Sequence, residues 1–191
     1  MGKQGSFIKR FTDILISILT LIIFSPILLI AMIAIKFDSK GPVFFLHERT
    51  GLNGKSFKMI KFRGMVDNAL AVGPELTQPK DPRITRVGKI LRRTSIDEIP
   101  QVINVLKGEM SIIGPRPEVI SITSKYNDFQ KKVFAFKPGI TGISQVSGRQ
   151  LLTPDERTKM EIEYYTNESF WNDIKIFLRT FIVIITNEGN L

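Results

Sequence analysis

The chain has 191 residues and no cysteine, which excludes disulfides and thiolate metal sites. Its one histidine, His47, leaves no histidine cluster for zinc. Any metal is therefore expected to be a hard, oxygen-bound ion such as Mg2+. Carboxylates are in the minority, with 18 Asp and Glu against 27 Lys and Arg and a formal net charge of +9. That excess calls for an anionic partner: phosphate esters, nucleic acid or acidic lipid headgroups. Charge alone does not choose among them. Internal repeats and low-complexity tracts are absent, so the expected organisation is one compact domain plus whatever binds a membrane.

Charge is missing altogether from Ile14 to Ile35, a run of 22 residues broken only by Ser17, Thr20 and the pair Ser25-Pro26. At about 1.5 Å per residue, a helix of that length crosses a bilayer core of roughly 30 Å. The run exceeds the apolar core of a signal peptide, and no small-residue cleavage site ends it. Pro26 removes a backbone hydrogen bond near the middle, and Ser25 can return its hydroxyl to a freed carbonyl. Lys3, Lys9 and Arg10 precede the run, and Lys36 and Lys40 follow it. If basic flanks prefer the cytoplasm, both ends lie on one side; a kinked spanning helix fits the same features equally well.

Gly41-Pro42 ends this segment. Val43–Leu46 and Phe57–Phe62, separated by Gly51 and Asn53-Gly54, then read as a β-hairpin. A short helix is expected over Asp67–Val72, followed by a polar loop over Gly73–Pro82. Further helices are expected over Val87–Arg93 and over Asp97–Lys107, where Ile99, Val102, Ile103 and Leu106 share a face and Gly108 is the stop. Glu118–Phe136 reads as interrupted helix and Lys137–Arg149 as glycine-rich loop. Pro154–Asn167 reads as a helix capped by Thr153. The last apolar stretch, Phe170–Ile185, suits either the core or a membrane interface.

Between Lys61 and Arg149, basic residues stand beside glycines, prolines and one pair of carboxylates. The segments are Lys61-Phe62-Arg63, DPRITRVG at 81–88, Arg92 to Gln101, SIIGPRP at 111–117 and KPGITGISQVSGR at 137–149. Arginine forks match phosphate oxygens, and glycine lets backbone amides approach an anion, so a diphosphate suits this set. Asp97 and Glu98 admit two readings. Ser95 with Glu98 is a capping-box spacing, which would make both carboxylates helix-start residues. Pro100 argues against that register, because its ring would clash one turn back. In the other reading, nearby arginines and the helix dipole keep Asp97 ionised as a nucleophile toward phosphorus, with Arg92, Arg116 and magnesium offsetting the repulsion between anions. Arg83, Arg86 and Arg93 are equally consistent with solvated surface charge. Pro115 and Pro117 place Arg116 on a stiff loop.

Taken together and in order, Ser25-Pro26, Lys61-Phe62-Arg63, DPRITRVG, Ser95 to Gln101, SIIGPRP, PGITG and Gln145 to Arg149 resemble the bacterial sugar transferases, the monotopic polyprenyl-phosphate phosphoglycosyl transferases. The resemblance covers nearly the whole chain. It implies an α+β, mainly helical, monotopic membrane protein with a small β-hairpin. Residues 1–40 would form a re-entrant helix broken at Ser25-Pro26, and 41–191 a catalytic domain with interfacial helices on the cytoplasmic face of the bacterial inner membrane. It implies transfer of a sugar 1-phosphate from a UDP-sugar to polyprenyl phosphate, with Asp97 as nucleophile, Glu98 beside it, UMP as product and Mg2+ as cofactor, Asp97 contributing to the metal. Lys61, Arg63, Arg92 and Arg116 become candidate phosphate or carrier contacts, and Arg149 a candidate for the nucleotide. Membrane lipids and downstream glycosyltransferases are the implied partners, with no role for nucleic acid.

Two departures stand out. Gly64 occupies a position where members often carry a hydroxyl, and whereas larger members carry extra N-terminal membrane helices and another domain, this chain resembles the minimal catalytic form. Two rival readings stay open on the residues alone. A membrane-tethered anion-binding protein would keep its binding without Asp97, and a lipid-diphosphate hydrolase would use water as acceptor.

Overall fold

In the computed structural model, residues 7–78, 80–148, 152–167 and 169–186 are described. The uncharged run builds α1, Phe7–Asp38, a single helix with Pro26 inside it. The proline leaves the carbonyl of Ile22 without its helical donor, and Ser25 Oγ supplies one at 2.8 Å. By length and composition α1 can cross a bilayer.

Both ends of α1 dock on the rest of the chain. Near its start, Arg10 donates to the carbonyls of Val105 (2.6 Å) and Leu106 (2.9 Å), and Asp13 accepts from Ser111 Oγ and from Ile112 N–H. Near its end, Ala31 and Ile35 pack with Phe62 and Leu91, and Asp38 accepts from Val87 N–H. From Ile18 to Ile30 no residue is buried, so the middle of α1 stands clear of the domain with its aliphatic side chains outward.

The hairpin forms as the alternation requires: β1, Phe44–Thr50, pairs antiparallel with β2, Ser56–Phe62. Its turn uses positive φ at Asn53 (56°) and Gly54 (74°), the conformation that asparagine and glycine tolerate best. Next come α2, Arg86–Arg93, a 3-10 helix over Ile96–Gln101, and α3, Val102–Lys107. Asn104, wholly buried on α3, accepts from Ile60 N–H (2.9 Å) and donates to the Lys58 carbonyl (2.8 Å). This pair of bonds sets the distance between β2 and the segment leading into α3.

Two three-residue strands, β3 (Ser111–Ile113) and β4 (Gly139–Thr141), pair in parallel, with α4 (Ile120–Thr123) between them and α5 (Ile143–Val146) after them. Helix α6, Pro154–Thr166, starts on the expected Thr153 cap, where Glu156 completes a capping box. Helix α7, Phe170–Thr186, combines both sequence options: Ile176 and Val183 enter the core, while Trp171, Leu178, Phe181, Ile182 and Ile185 are exposed.

Four local expectations change. Asp67–Val72 is a run of turns, because Gly73-Pro74 ends it before a second helical turn can form. Asp97–Lys107 divides into the 3-10 helix and α3, which accommodates Pro100 without a clash. Glu118–Phe136 retains only α4 and a 3-10 helix at Gln130–Ala135. Lys137–Arg149 holds β4 and α5 where loop was expected, since a three-residue strand carries no readable alternation and its partner is remote in sequence. Gly108 is the helix stop expected of it, at φ 85°.

Candidate active site

Strand alternation starts the site. In the β1–β2 pairing Arg49 lies opposite Phe57, His47 opposite Met59 and Phe45 opposite Lys61, so Arg49, His47 and Lys61 share one face. The segment after α2 meets that face. Ser95 adopts left-handed backbone (φ 56°, ψ 15°) and its side chain makes no capping bond, so the capping box does not form. Glu98 instead reaches across to β2, where Lys61 Nζ lies 2.6 Å from its Oε1.

Asp97, beside it, is only 9% exposed. Burial first, and the charge of Glu98 second, push its carboxyl up to about 6, with Lys61 and Arg92 pulling the other way. The sequence has the helix dipole and nearby arginines keep this group ionised, and of the arginines only Arg92 acts on it appreciably. Desolvation outweighs Lys61 and Arg92 because the side chain faces the interior. Asp97 is still largely ionised at neutral pH, and it is a stronger base and nucleophile than an exposed aspartate.

A cleft adjoins these groups, lined by Arg49, Lys61, Glu98, Gln101, Arg116 and Pro117 among others; Asp97 is not on its wall but stands next to Glu98 in the chain. Arg49 is the residue the sequence reading missed. Its Nη1 donates to the Pro117 carbonyl (3.2 Å), its Nη2 lies 3.1 Å from His47 Nδ1, and Glu118 is 4.0 Å away. Burial, then the charge of Arg116, lower its value to about 10, which leaves it cationic at neutral pH. The signal that would have found it is the period-two alternation that also places Lys61.

Of the basic residues singled out in the sequence, Lys61 and Arg116 line the cleft, and Arg92 is close enough to Asp97 to act on its charge. Arg92 Nη1 donates to Thr77 Oγ1 at 3.0 Å. Arg63 stands apart from this group. It is 4% exposed, and its guanidinium donates to the carbonyls of Ser39 and Lys40 (both 2.8 Å), fastening the end of α1 to the exit of β2. Its position in sequence next to Lys61 is misleading, because residues two apart on a strand leave the sheet together only while the strand lasts, and β2 ends at Phe62. Arg83 is likewise structural, forking onto both oxygens of Asp81 and bonding the carbonyls of Ala69 and Pro74. Arg149 lies outside the described residues.

Among the described residues, no three carboxylate or histidine groups gather into a metal cage. Glu98 lines the cleft and Asp97 adjoins it in the chain, a donor pair that would suit Mg2+ once phosphate oxygens and water complete its shell.

Residues 4–187 match the family model described as bacterial sugar transferase. The chain is 40% identical to the undecaprenyl-phosphate galactose phosphotransferase of Salmonella typhimurium, over 99% of this chain and 43% of that protein. It is also 40% identical to the UDP-N-acetylgalactosamine-undecaprenyl-phosphate N-acetylgalactosaminephosphotransferase of Aeromonas hydrophila, over 96% and 45%. The exopolysaccharide production protein ExoY of Sinorhizobium fredii is 36% identical over 97% of this chain and 89% of its own length. The chain thus spans less than half of several relatives and most of another. A buried aspartate beside a cation-lined cleft, set in segments that match the family model almost from end to end, places this chain in the bacterial sugar transferase family.

Proposed function

We propose that the protein transfers a sugar 1-phosphate from a UDP-sugar to polyprenyl phosphate at a membrane, through a covalent intermediate on Asp97. The observation that carries this reading is the buried, base-strengthened Asp97 next to a cleft with Lys61, Arg49 and Arg116 on its walls. A nucleophilic carboxylate and a diphosphate repel each other, and these cations offset the repulsion as charge develops on the leaving phosphate. An Asp97 oxygen attacks the β-phosphorus, the bond from that phosphorus to the bridging oxygen breaks, and UMP departs with the bonding pair. A phosphate oxygen of the lipid carrier then attacks the same phosphorus and releases Asp97 as carboxylate. Glu98, held by Lys61, orients the acceptor phosphate. Mg2+, with Asp97 and Glu98 as its protein ligands, would neutralise diphosphate charge. The names of the relatives, which specify undecaprenyl phosphate and sugar phosphotransfer, support this chemistry over hydrolysis.

Two displacements through one residue demand ping-pong kinetics. With a panel of UDP-sugars, UMP is expected in a single-turnover burst without polyprenyl phosphate and in steady turnover with it. UMP formed only when both substrates are present would replace the reading with a direct displacement, and free sugar phosphate as product would make the enzyme a hydrolase.

The same reading makes residues 1–40 a re-entrant anchor and 41–191 the catalytic domain on the cytoplasmic face of the inner membrane. A straight helix of about 48 Å cannot cross a bilayer and still rest both ends on one domain at the surface. The docking of Arg10 and Asp13 at one end and Ile35 and Asp38 at the other therefore supports a helix that enters and returns. The absence of cysteine makes the test clean: Lys3→Cys and Lys40→Cys are each expected to react with an impermeant maleimide in inverted vesicles and not in intact spheroplasts. Labelling of one of the two from outside would establish a spanning helix.

A further inference from the structure

The segment from Gly114 to Glu118 is bonded at every residue. Gly114 N–H reaches the Thr141 carbonyl (3.0 Å), Pro115 accepts from Gly139 N–H (2.9 Å), Pro117 accepts from Arg49 (3.2 Å) and Glu118 accepts from Thr50 N–H (3.1 Å). The central N–H, that of Arg116, goes to Glu161 Oε1 at 3.0 Å. Within Ser111–Pro117 every residue is buried except Arg116, so its guanidinium is the one side chain this stretch exposes.

Glu161 is not an ordinary partner for a loop amide. It lies on the inner face of α6 with Thr158 and Tyr165 and is 3% exposed, and the same Oε1 accepts the Ser144 hydroxyl at 2.6 Å. A neutral glutamine offers the same acceptor oxygen without the cost of burying a charge. Burial pushes the Glu161 carboxyl up, and the Ser144 hydroxyl, the Arg116 N–H and the charges of Arg157 and Arg116 pull it the other way. A small open pocket adjoins the loop on the α6 side, bordered by Thr50, Arg116, Tyr126, Phe136 and Glu161.

We propose that Glu161 is a positioning residue for Arg116, holding its backbone so that its guanidinium meets the substrate's diphosphate. The proposal rests on the function proposed above. Glu161 itself never touches substrate, so its whole effect passes through Arg116.

A double-mutant cycle tests this, using the full chain in detergent, UDP binding by calorimetry and kcat/KM for transfer, with thermal melting as the control for folding. Glu161→Leu is expected to weaken UDP binding and kcat/KM about tenfold, as is Arg116→Ala, and the double variant to be no worse than Arg116→Ala alone. Glu161→Gln, which keeps the acceptor, is expected to recover most of the loss. Losses that multiply in the double variant, or a folded Glu161→Leu with wild-type affinity, would overturn the proposal. Should Glu161→Leu not fold, Ser144→Ala frees the carboxylate from its other side and carries the same cycle, with a loss of about threefold that vanishes in the Arg116→Ala background. A multiplicative loss there overturns the proposal equally. Non-additive UDP binding without any transfer to polyprenyl phosphate would sink the functional reading and leave the positioning role standing; transfer with a multiplicative cycle would do the reverse. A wild-type chain that does not bind UDP overturns both.

Discussion

Asp97→Asn is expected to end sugar-phosphate transfer, by at least about a thousandfold, because a neutral amide does not attack phosphorus usefully. With a UDP-sugar labelled in its β-phosphate, the wild-type chain should carry label that maps to Asp97 and is discharged by polyprenyl phosphate. The asparagine variant should carry none. Its stability should move the other way. A carboxyl raised above its unfolded value stabilises the fold only while protonated, so for Asp97 that contribution is whole below about 4 and lost as pH rises through about 6. Above that range the wild type bears a buried charge that asparagine lacks. Asp97→Asn should therefore melt higher than wild type at pH 8 and match it at pH 4. Wild-type transfer should rise with pH through about 6 as the nucleophile ionises. An asparagine variant that still turned over would return Asp97 to a metal ligand or a purely structural group, and one less stable at pH 8 would show that its charge is compensated in the fold.

Gly88→Ala is the second large effect, and it is structural in origin. A Cβ at Gly88 would sit 2.0 Å from the carbonyl oxygen of Gly64 and 2.6 Å from its carbon, both backbone atoms. That carbonyl already accepts Thr85 N–H at 3.1 Å, so neither side can yield without moving α2 off the end of β2. Helix α2 buries Leu91 against Ala31, Ile35 and Phe62, carries Arg92, and leads directly into Asp97. We expect a stability loss of about 3 kcal/mol from overpacking, and a fall in transfer of about a hundredfold from misplacing the nucleophile by an ångström or so. Gly64→Ser is the control. The nearest atom to its Cβ is Arg92 Nε at 3.2 Å, on a side chain that can swing away, so it should fold almost normally. A hydroxyl at this position therefore has room here. Wild-type stability for Gly88→Ala would mean that α2 and the segment after β2 are not rigidly joined.

Much of the site was legible because it is local. The spacing of Asp97, Glu98 and Pro100, the prolines flanking Arg116 and the Thr153 cap are relations within a few residues, and each appears in the structure in recognisable form. The capping-box reading of Ser95 and Glu98 was local too, and it failed for a tertiary reason: Lys61, on a strand 37 residues earlier in the chain, takes the Glu98 carboxylate. Arg63 shows the converse, a basic residue in the right motif whose guanidinium is consumed by Ser39 and Lys40.

The sequence by itself determined the long apolar helix around Pro26, the hairpin and the chemistry on offer: a carboxylate pair among arginines and an excess of positive charge. These follow from periodicity, backbone preference and charge, which act over one turn or one strand pair. Only the tertiary structure decided which charges meet. It buried Asp97 and so raised its basicity, brought Arg49 beside Lys61 and Arg116, withdrew Arg63 to fasten α1, and set Glu161 from α6 behind the Arg116 amide. Burial and the distance between charges far apart in the chain are properties of packing, and no local pattern encodes them.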